Sequence, residues 1–174
     1  MKKISLIFAC LIIVLLSTTG CGTRTSMMVT LDGEIRLSES TDNITVSELE
    51  KRLLDVSLHN SEKPLFDKVA ITENKGVFYN SYRFWASTTP QQISDELTLA
   101  VNMSGTPSGV RNGIIEGNRI VFPLTDLADP IELVAEFEEN NVGVIFGIIA
   151  VLVTIMSGFF LFIKRGDGGG YDNY

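Results

Sequence analysis

Two long apolar runs divide the chain into four parts. Residues 4–16 and 142–163 carry few polar side chains, whereas the stretch between them alternates between short apolar and polar segments. The first run is too short for a typical membrane-spanning helix, and the second is long enough to cross a bilayer. The pattern therefore predicts an N-terminal leader, one folded domain, one spanning helix and a short tail.

One helix is predicted early in the middle segment. Its apolar residues recur at helical spacing, at Val46, Leu49, Leu53 and Val56. Ser47 followed three residues later by Glu50 is typical of a capping box at a helix start. We expect this helix to end by His59-Asn60.

The remaining apolar spacing is that of strands. Strands are predicted at residues 27–37 (as a hairpin or one long strand pinched at Asp32-Gly33), 77–87, 97–103, 119–124 and 131–137. Asn112-Gly113 and Gly117-Asn118 are strong turn signals between them. The predicted fold class is α+β: an antiparallel, β-rich domain with one or two helices, followed by one C-terminal transmembrane helix.

The N-terminal run has the features of an export signal. Lys2 and Lys3 precede the apolar run, and small polar residues follow it up to Cys21. This arrangement resembles the lipobox of bacterial lipoproteins, in which the chain is cut just before a cysteine that receives a diacylglycerol. The resemblance implies a signal peptide at residues 1–20 and a lipidated Cys21 carrying acyl chains such as palmitate. Ordinary cleavage near Gly20, which leaves a free thiol, is the alternative.

Charges around the second run predict its orientation. Glu138 and Glu139 precede it, and Lys164 and Arg165 follow it at once. The positive-inside rule then places residues 164–174 in the cytoplasm and residues 21–141 outside the cell. We therefore expect a single-pass protein of the cell membrane with an extracytoplasmic domain.

Composition excludes two classes of protein. The net charge is −7, and most of the acidic excess lies between the two apolar runs. Nucleic acid is not an expected partner, because binding to phosphates requires a basic surface. A disulfide framework is also excluded, since Cys10 and Cys21 are the only cysteines.

The order of these features resembles the LppM-type lipoprotein domain of Gram-positive bacteria. The shared elements are the lipobox cysteine, an opening strand, a glycine-led strand, an Asn-Gly turn, a strand that begins with Gly-Asn and an apolar residue, and a C-terminal membrane helix. Here they are Cys21, residues 29–37, 105–110, Asn112-Gly113, residues 117–122 and residues 142–163. The resemblance implies an α+β cell-envelope domain with lipid or glycolipid binding, and it implies no catalytic residues.

Catalytic and metal-binding residues are scarce. His59 is the only histidine, so a catalytic triad or a zinc site lacks partners. Asp126, Asp129 and Glu132 offer oxygen ligands for calcium without the spacing of an EF-hand, and a polar turn is the alternative. We expect no enzyme, no metal and no cofactor, with an enzyme acting on lipids or cell-wall material as the least favoured class.

The aromatic strand is the candidate binding surface. Packing of its side chains in the core is the favoured interpretation. The alternative is that Tyr79, Tyr82 and Trp85 contact an acyl chain or isoprenoid, because such ligands need apolar, concave surroundings.

The spanning helix offers a second contact surface. Gly143 and Gly147 form a GxxxG step, which permits close approach of a partner helix or of a second copy. The expected function is a membrane-anchored, non-enzymatic envelope lipoprotein. Its expected partners are membrane lipids, a lipid-like ligand or a neighbouring envelope protein. The alternative is an accessory subunit of a membrane protein complex.

Overall fold

The computed structural model describes residues 26–33, 35–59, 61–93, 96–125 and 127–166. The elements in chain order are β1 (Met27–Asp32), β2 (Leu37–Ser40), α1 (Val46–Leu54), β3 (Phe66–Lys75), β4 (Tyr79–Thr88), β5 (Leu97–Met103), β6 (Thr106–Arg111), β7 (Ile114–Glu116), β8 (Arg119–Leu124), β9 (Glu132–Asn140) and α2 (Val142–Gly166). The chain divides into two compact units, and one of them, Thr23–Asn140, contains β1–β9 and α1. We call its described part, residues 26–140, the β-domain. The helix α2 belongs to the other unit.

The strands of the β-domain form two antiparallel sheets. Sheet I has the order β2-β1-β5-β8-β7, and sheet II has the order β3-β4-β9-β6. The described residues thus form a β-rich protein with two antiparallel sheets and two helices, which confirms the antiparallel, β-rich class expected from the apolar spacing. Only α1 lies in the β-domain.

The core lies between the two sheets and follows the two-residue period of the strands. Sheet I buries Met27, Val29 and Leu31 of β1, Leu97, Leu99, Val101 and Met103 of β5, and Ile120, Phe122 and Leu124 of β8. Sheet II contributes Tyr82, Phe84 and Ala86 of β4 and Leu133, Ala135 and Phe137 of β9. The rings of Phe84 and Phe122 join the two layers, with centroids 6.5 Å apart. The alternation predicted for β5 is confirmed.

The helix α1 begins two residues earlier than its predicted capping box. Thr45 is the N-cap, and its hydroxyl accepts the backbone N–H of Glu48 at 3.2 Å. The predicted cap, Ser47, lies inside the first turn. Glu50 instead accepts the backbone N–H of Ile71 at 2.7 Å, so it satisfies a donor on β3, an edge strand of sheet II. Glu50 therefore contacts Ile71 on β3 instead of the backbone of Ser47, which the capping-box spacing predicts as its partner.

An ion pair joins α1 to the edge of sheet I. Arg52 donates to Glu39 of β2 at 2.7 Å and to Glu48 at 3.3 Å. These two carboxylates raise the pKa of Arg52 above its ordinary value, chiefly through the hydrogen bond to Glu39. The helix ends at Leu54 with Asp55 as its C-cap, before the predicted limit, and His59 lies exposed beyond it.

The predicted turns are confirmed. Asn112 (φ 59°) joins β6 to β7, and Gly117 (φ 64°) joins β7 to β8, both in the left-handed region that such turns need. The predicted strand 119–124 matches β8. The last strand, β9, continues to Asn140, because it pairs along its whole length with β4.

The helix α2 has the predicted start and continues to Gly166. Its segment Val142–Phe159 is long and apolar enough to cross a membrane.

Candidate functional site

A pocket of about 250 Å³ opens between the two sheets beside the start of α1. Its lining residues are Met27, Thr41, Val46, Ile71, Thr72, Glu73, Tyr82 and Met103. We call this the inter-sheet pocket. Its residues come from both sheets, from the residue after β2 and from the first turn of α1, so it exists only in the folded domain.

The wall on the side of sheet I consists of two methionines. Met27 starts β1 and Met103 ends β5, and the two residues are cross-strand partners. Both side chains are almost fully buried. Unbranched thioether side chains adapt their shape to what they contact, which suits a wall that receives flexible apolar ligands.

The backbone of Met27 is held by Thr41. The Met27 N–H donates to the Thr41 hydroxyl at 2.8 Å, and the Thr41 N–H donates to the Met27 carbonyl at 2.9 Å. Thr41 is itself buried. These two hydrogen bonds fix the start of β1 and thereby the position from which the Met27 side chain enters the pocket.

The wall on the side of sheet II ends in a polar rim. Tyr82 lies opposite Glu73 of β3, and its hydroxyl donates to the Glu139 carboxylate of β9 at 2.9 Å. Glu73 also pairs with Lys75 at 3.5 Å. The pocket thus combines an apolar interior with charged groups at one edge, which is the distribution that an amphipathic ligand requires.

The pocket lies at the end of the β-domain where the chain leaves it. Met103 ends β5, and three residues later Thr106 starts β6 opposite Glu138 of β9. Tyr79 is paired with Asn140, the last residue of β9. The strand ends at Met27, Met103 and Asn140 therefore share one end of the two sheets.

The predicted binding residues are divided between two faces of sheet II. Tyr82 points into the interior and lines the pocket, whereas Tyr79 and Trp85 lie on the opposite face. Tyr79 is exposed and Trp85 is half-buried beside Val134. The reason is the strand period, because even-numbered positions of β4 face the core and odd-numbered positions do not.

Most pocket residues were missed from the sequence. Met27, Val46 and Ile71 belong to three separate elements, and no local pattern relates them. Two lining residues carried a signal: Tyr82 was a predicted binding residue, and the alternation of β5 assigned Met103 to the buried face.

A second depression, of about 360 Å³, lies on the outer face of sheet I. Its lining residues are Met28, Thr30, Asp32, Thr98, Ala100, Asn102, Arg119 and Val121. They belong to one face of one sheet, and Arg119 at its edge pairs with Glu116 at 2.9 Å. The depression is wider and more polar than the inter-sheet pocket, so it is the weaker candidate for an apolar ligand.

Small residues occupy one side of α2. Gly143 and Gly147 lie one turn apart, and continuing the helical period brings Ala150, Thr154 and Gly158 to the same side. The Thr154 hydroxyl donates to the Ala150 carbonyl at 2.8 Å, within the helix. A second helix can approach closely along such a surface.

Several predicted features lie outside the described residues. These are the signal peptide, the lipidation site Cys21, the tail beyond Gly166 and Asp126 of the calcium hypothesis. Among the described residues, no group of three or more His, Cys, Asp or Glu side chains is arranged to hold a metal ion.

Comparison of the chain with protein-family models, with curated proteins and with solved structures found no match.

Proposed function

We propose that this chain is a membrane-anchored envelope lipoprotein of the LppM type, that it is not an enzyme, and that its β-domain binds a lipid-like ligand at the outer face of the cytoplasmic membrane. The observation that carries the proposal is the inter-sheet pocket. It is apolar inside, has charged groups at one edge, and lies at the end of the β-domain that contains Asn140. The chain also has a helix that is apolar enough to cross a membrane.

The volume of the pocket limits the ligand. Sites for drug-sized molecules measure about 300–1,000 Å³, so a pocket of about 250 Å³ accepts part of a lipid rather than a whole one. We infer that one acyl chain enters between Met27 and Ile71. The polar headgroup then remains at the rim, near Glu73 and Lys75.

Both proposed anchors connect to this end of the β-domain. Asn140 precedes Val142, the first residue of α2, by two residues, and Cys21 precedes Met27 by six residues, which span at most about 22 Å when extended. A single acyl anchor binds membranes only marginally, so the helix supplies most of the retention. The lipid would then restrict the orientation of the domain.

Substitution of Val46 by tryptophan tests the proposal. Val46 lines the pocket but is partly exposed, so an indole there blocks the opening without entering the core. We expect the photochemical labelling of pocket residues by a diazirine-bearing lipid to fall roughly tenfold, corresponding to about 1.4 kcal/mol of affinity. The full-length protein is reconstituted in vesicles that contain phosphatidylglycerol with a diazirine at the end of one acyl chain. After illumination, labelled peptides containing Met27 or Met103 are quantified by mass spectrometry.

Val121 provides the matched control. It lines the depression on the outer face of sheet I, so Val121→Trp makes the same change away from the pocket and should leave labelling unchanged. Equal labelling of the Met27 and Met103 peptides in both variants, or no labelling of them in the wild-type protein, contradicts lipid binding in the pocket.

The small residues of α2 support a second function, that of an accessory subunit of a membrane complex. Gly147→Leu places a branched side chain at the centre of this surface and should reduce crosslinking between α2 and its partner about fivefold, or about 1 kcal/mol. The measurement is crosslinking in native membranes. Ile148→Leu, on a different side of the helix, is the control, and undiminished crosslinking of the Gly147 variant contradicts this function.

A further inference from the structure

The turn between β3 and β4 presents apolar side chains to solvent. Val77, Phe78 and Tyr79 are 63%, 57% and 53% exposed, and we call these three residues the hairpin tip. The turn is closed by the Gly76 N–H, which donates to the Tyr79 carbonyl at 3.0 Å. Adjacent exposed apolar side chains on a short, ordered turn are typical of a contact surface.

The strand register places the hairpin tip where the chain leaves the β-domain. Tyr79 is the cross-strand partner of Asn140, so Phe78 extends about 3.3 Å further along the strand direction. Val142, the first residue of α2, follows Asn140 by two residues, and its Cα therefore lies within about 7.6 Å of that of Asn140. The hairpin tip and Val142 are thus both connected, within two residues, to the Tyr79–Asn140 pair at one end of sheet II.

We propose that the hairpin tip inserts into the interfacial region of the lipid bilayer, an inference that rests on the proposed anchoring by α2. A membrane is the occupant that the register favours, because Asn140 must lie near the surface that α2 enters. Tyrosine prefers the headgroup level, with its ring in the apolar layer and its hydroxyl in water. Phe78 and Val77 supply the apolar surface that enters more deeply.

The charges near the hairpin tip indicate that insertion does not depend on anionic lipid. Lys75 is the nearest cation on β3, and it pairs with Glu73 at 3.5 Å. Glu138 and Glu139 lie near the end of β9. Apolar burial therefore drives the contact, and neutral vesicles suffice. Insertion would also keep the inter-sheet pocket, at the same end of the β-domain, within reach of bilayer lipids.

Tryptophan quenching in the full-length protein tests the inference. Trp85 is the only tryptophan, so Trp85→Phe provides a silent background for Phe78→Trp or Val77→Trp. The variants are reconstituted in phosphatidylcholine vesicles whose acyl chains are brominated near the headgroup. We expect both reporters to lose roughly half of their emission or more, because interfacial insertion reaches about 5–10 Å into the boundary of the acyl chains. Adding phosphatidylglycerol should not change the loss.

Asp129→Trp in the same background is the control. Asp129 is exposed and precedes β9, whose nine residues span about 26 Å, so this reporter lies at the opposite end of sheet II and should not be quenched. The inference is overturned if the emission of the two tip reporters is quenched no more than that of this control. A blue shift without quenching also overturns it, because it indicates a protein contact. Extraction of the protein from the vesicles by alkali overturns the anchoring by α2 instead, and the inference falls with it. Retention after alkali without quenching refutes the tip contact alone.

Discussion

Replacement of Phe122 by alanine is expected to lower the free energy of unfolding of the β-domain by about 3–5 kcal/mol. Phe122 is fully buried, and its ring lies 6.5 Å from that of Phe84 in the opposite sheet. The substitution removes the contact and leaves a cavity between two layers that cannot close over it. Because a domain of this size is stable by only about 5–15 kcal/mol, the loss is a large fraction of the total. Urea unfolding of the full-length protein in mild detergent, followed by Trp85 fluorescence, measures it.

Val121→Ala is the matched control for this prediction. Val121 is the neighbouring residue on β8 but faces outward and is only half-buried, so its truncation should cost about 1 kcal/mol or less. If both variants lose the same stability, the assignment of the two faces of sheet I is wrong.

The second large effect is expected at Gly105. This residue lies between β5 and β6, where the chain passes from sheet I to sheet II, and its φ is +94°. A Cβ added there would collide with the backbone carbonyl of Glu138. Gly105→Ala combines that collision with an unfavourable backbone conformation, so we expect a loss of about 3 kcal/mol or more. The same urea experiment measures the loss.

Gly117→Ala separates the two causes. Gly117 also has a positive φ, of +64°, but a Cβ there meets no atom within 4 Å. Gly117→Ala should therefore lower the free energy of unfolding only through its unfavourable backbone conformation, by about 1–2 kcal/mol. Equal losses at Gly105 and Gly117 would refute the proposed collision with Glu138. The Gly105 variant should also lose acyl labelling of Met103, which ends the strand before it.

Local patterns predicted the elements well where one face of a strand is buried. The alternation of β5 identified its inward residues because the two-residue strand period and the burial of one face act together. The turns at Asn112 and Gly117 were predictable for a similar reason, since their backbone conformations favour few residue types. The predicted start of α1 was wrong because Thr45 and Glu48 have the same three-residue spacing as the predicted pair Ser47 and Glu50. Glu50 instead accepts a hydrogen bond from the backbone of Ile71 on β3.

Local patterns were less informative about the candidate site. Tyr79, Tyr82 and Trp85 belong to one aromatic segment, and only Tyr82 lines the inter-sheet pocket. Neither face of β4 is purely apolar in sequence, so the pairing of the strand with β3 and β9 decides which face is inside. Sheet pairing cannot be deduced from one strand alone, because it depends on residues that are distant along the chain.

The amino-acid sequence by itself determined the positions of several strands and turns of the β-domain, though not of β3 and β7, and an apolar C-terminal helix of membrane-spanning length, because periodicity and length act within one segment. Only the tertiary structure decided that Met27, Val46, Ile71 and Met103 meet in one pocket and that the hairpin tip lies beside Asn140. These contacts join separate elements, and the relative positions of those elements are determined by the packing of two sheets around a shared core.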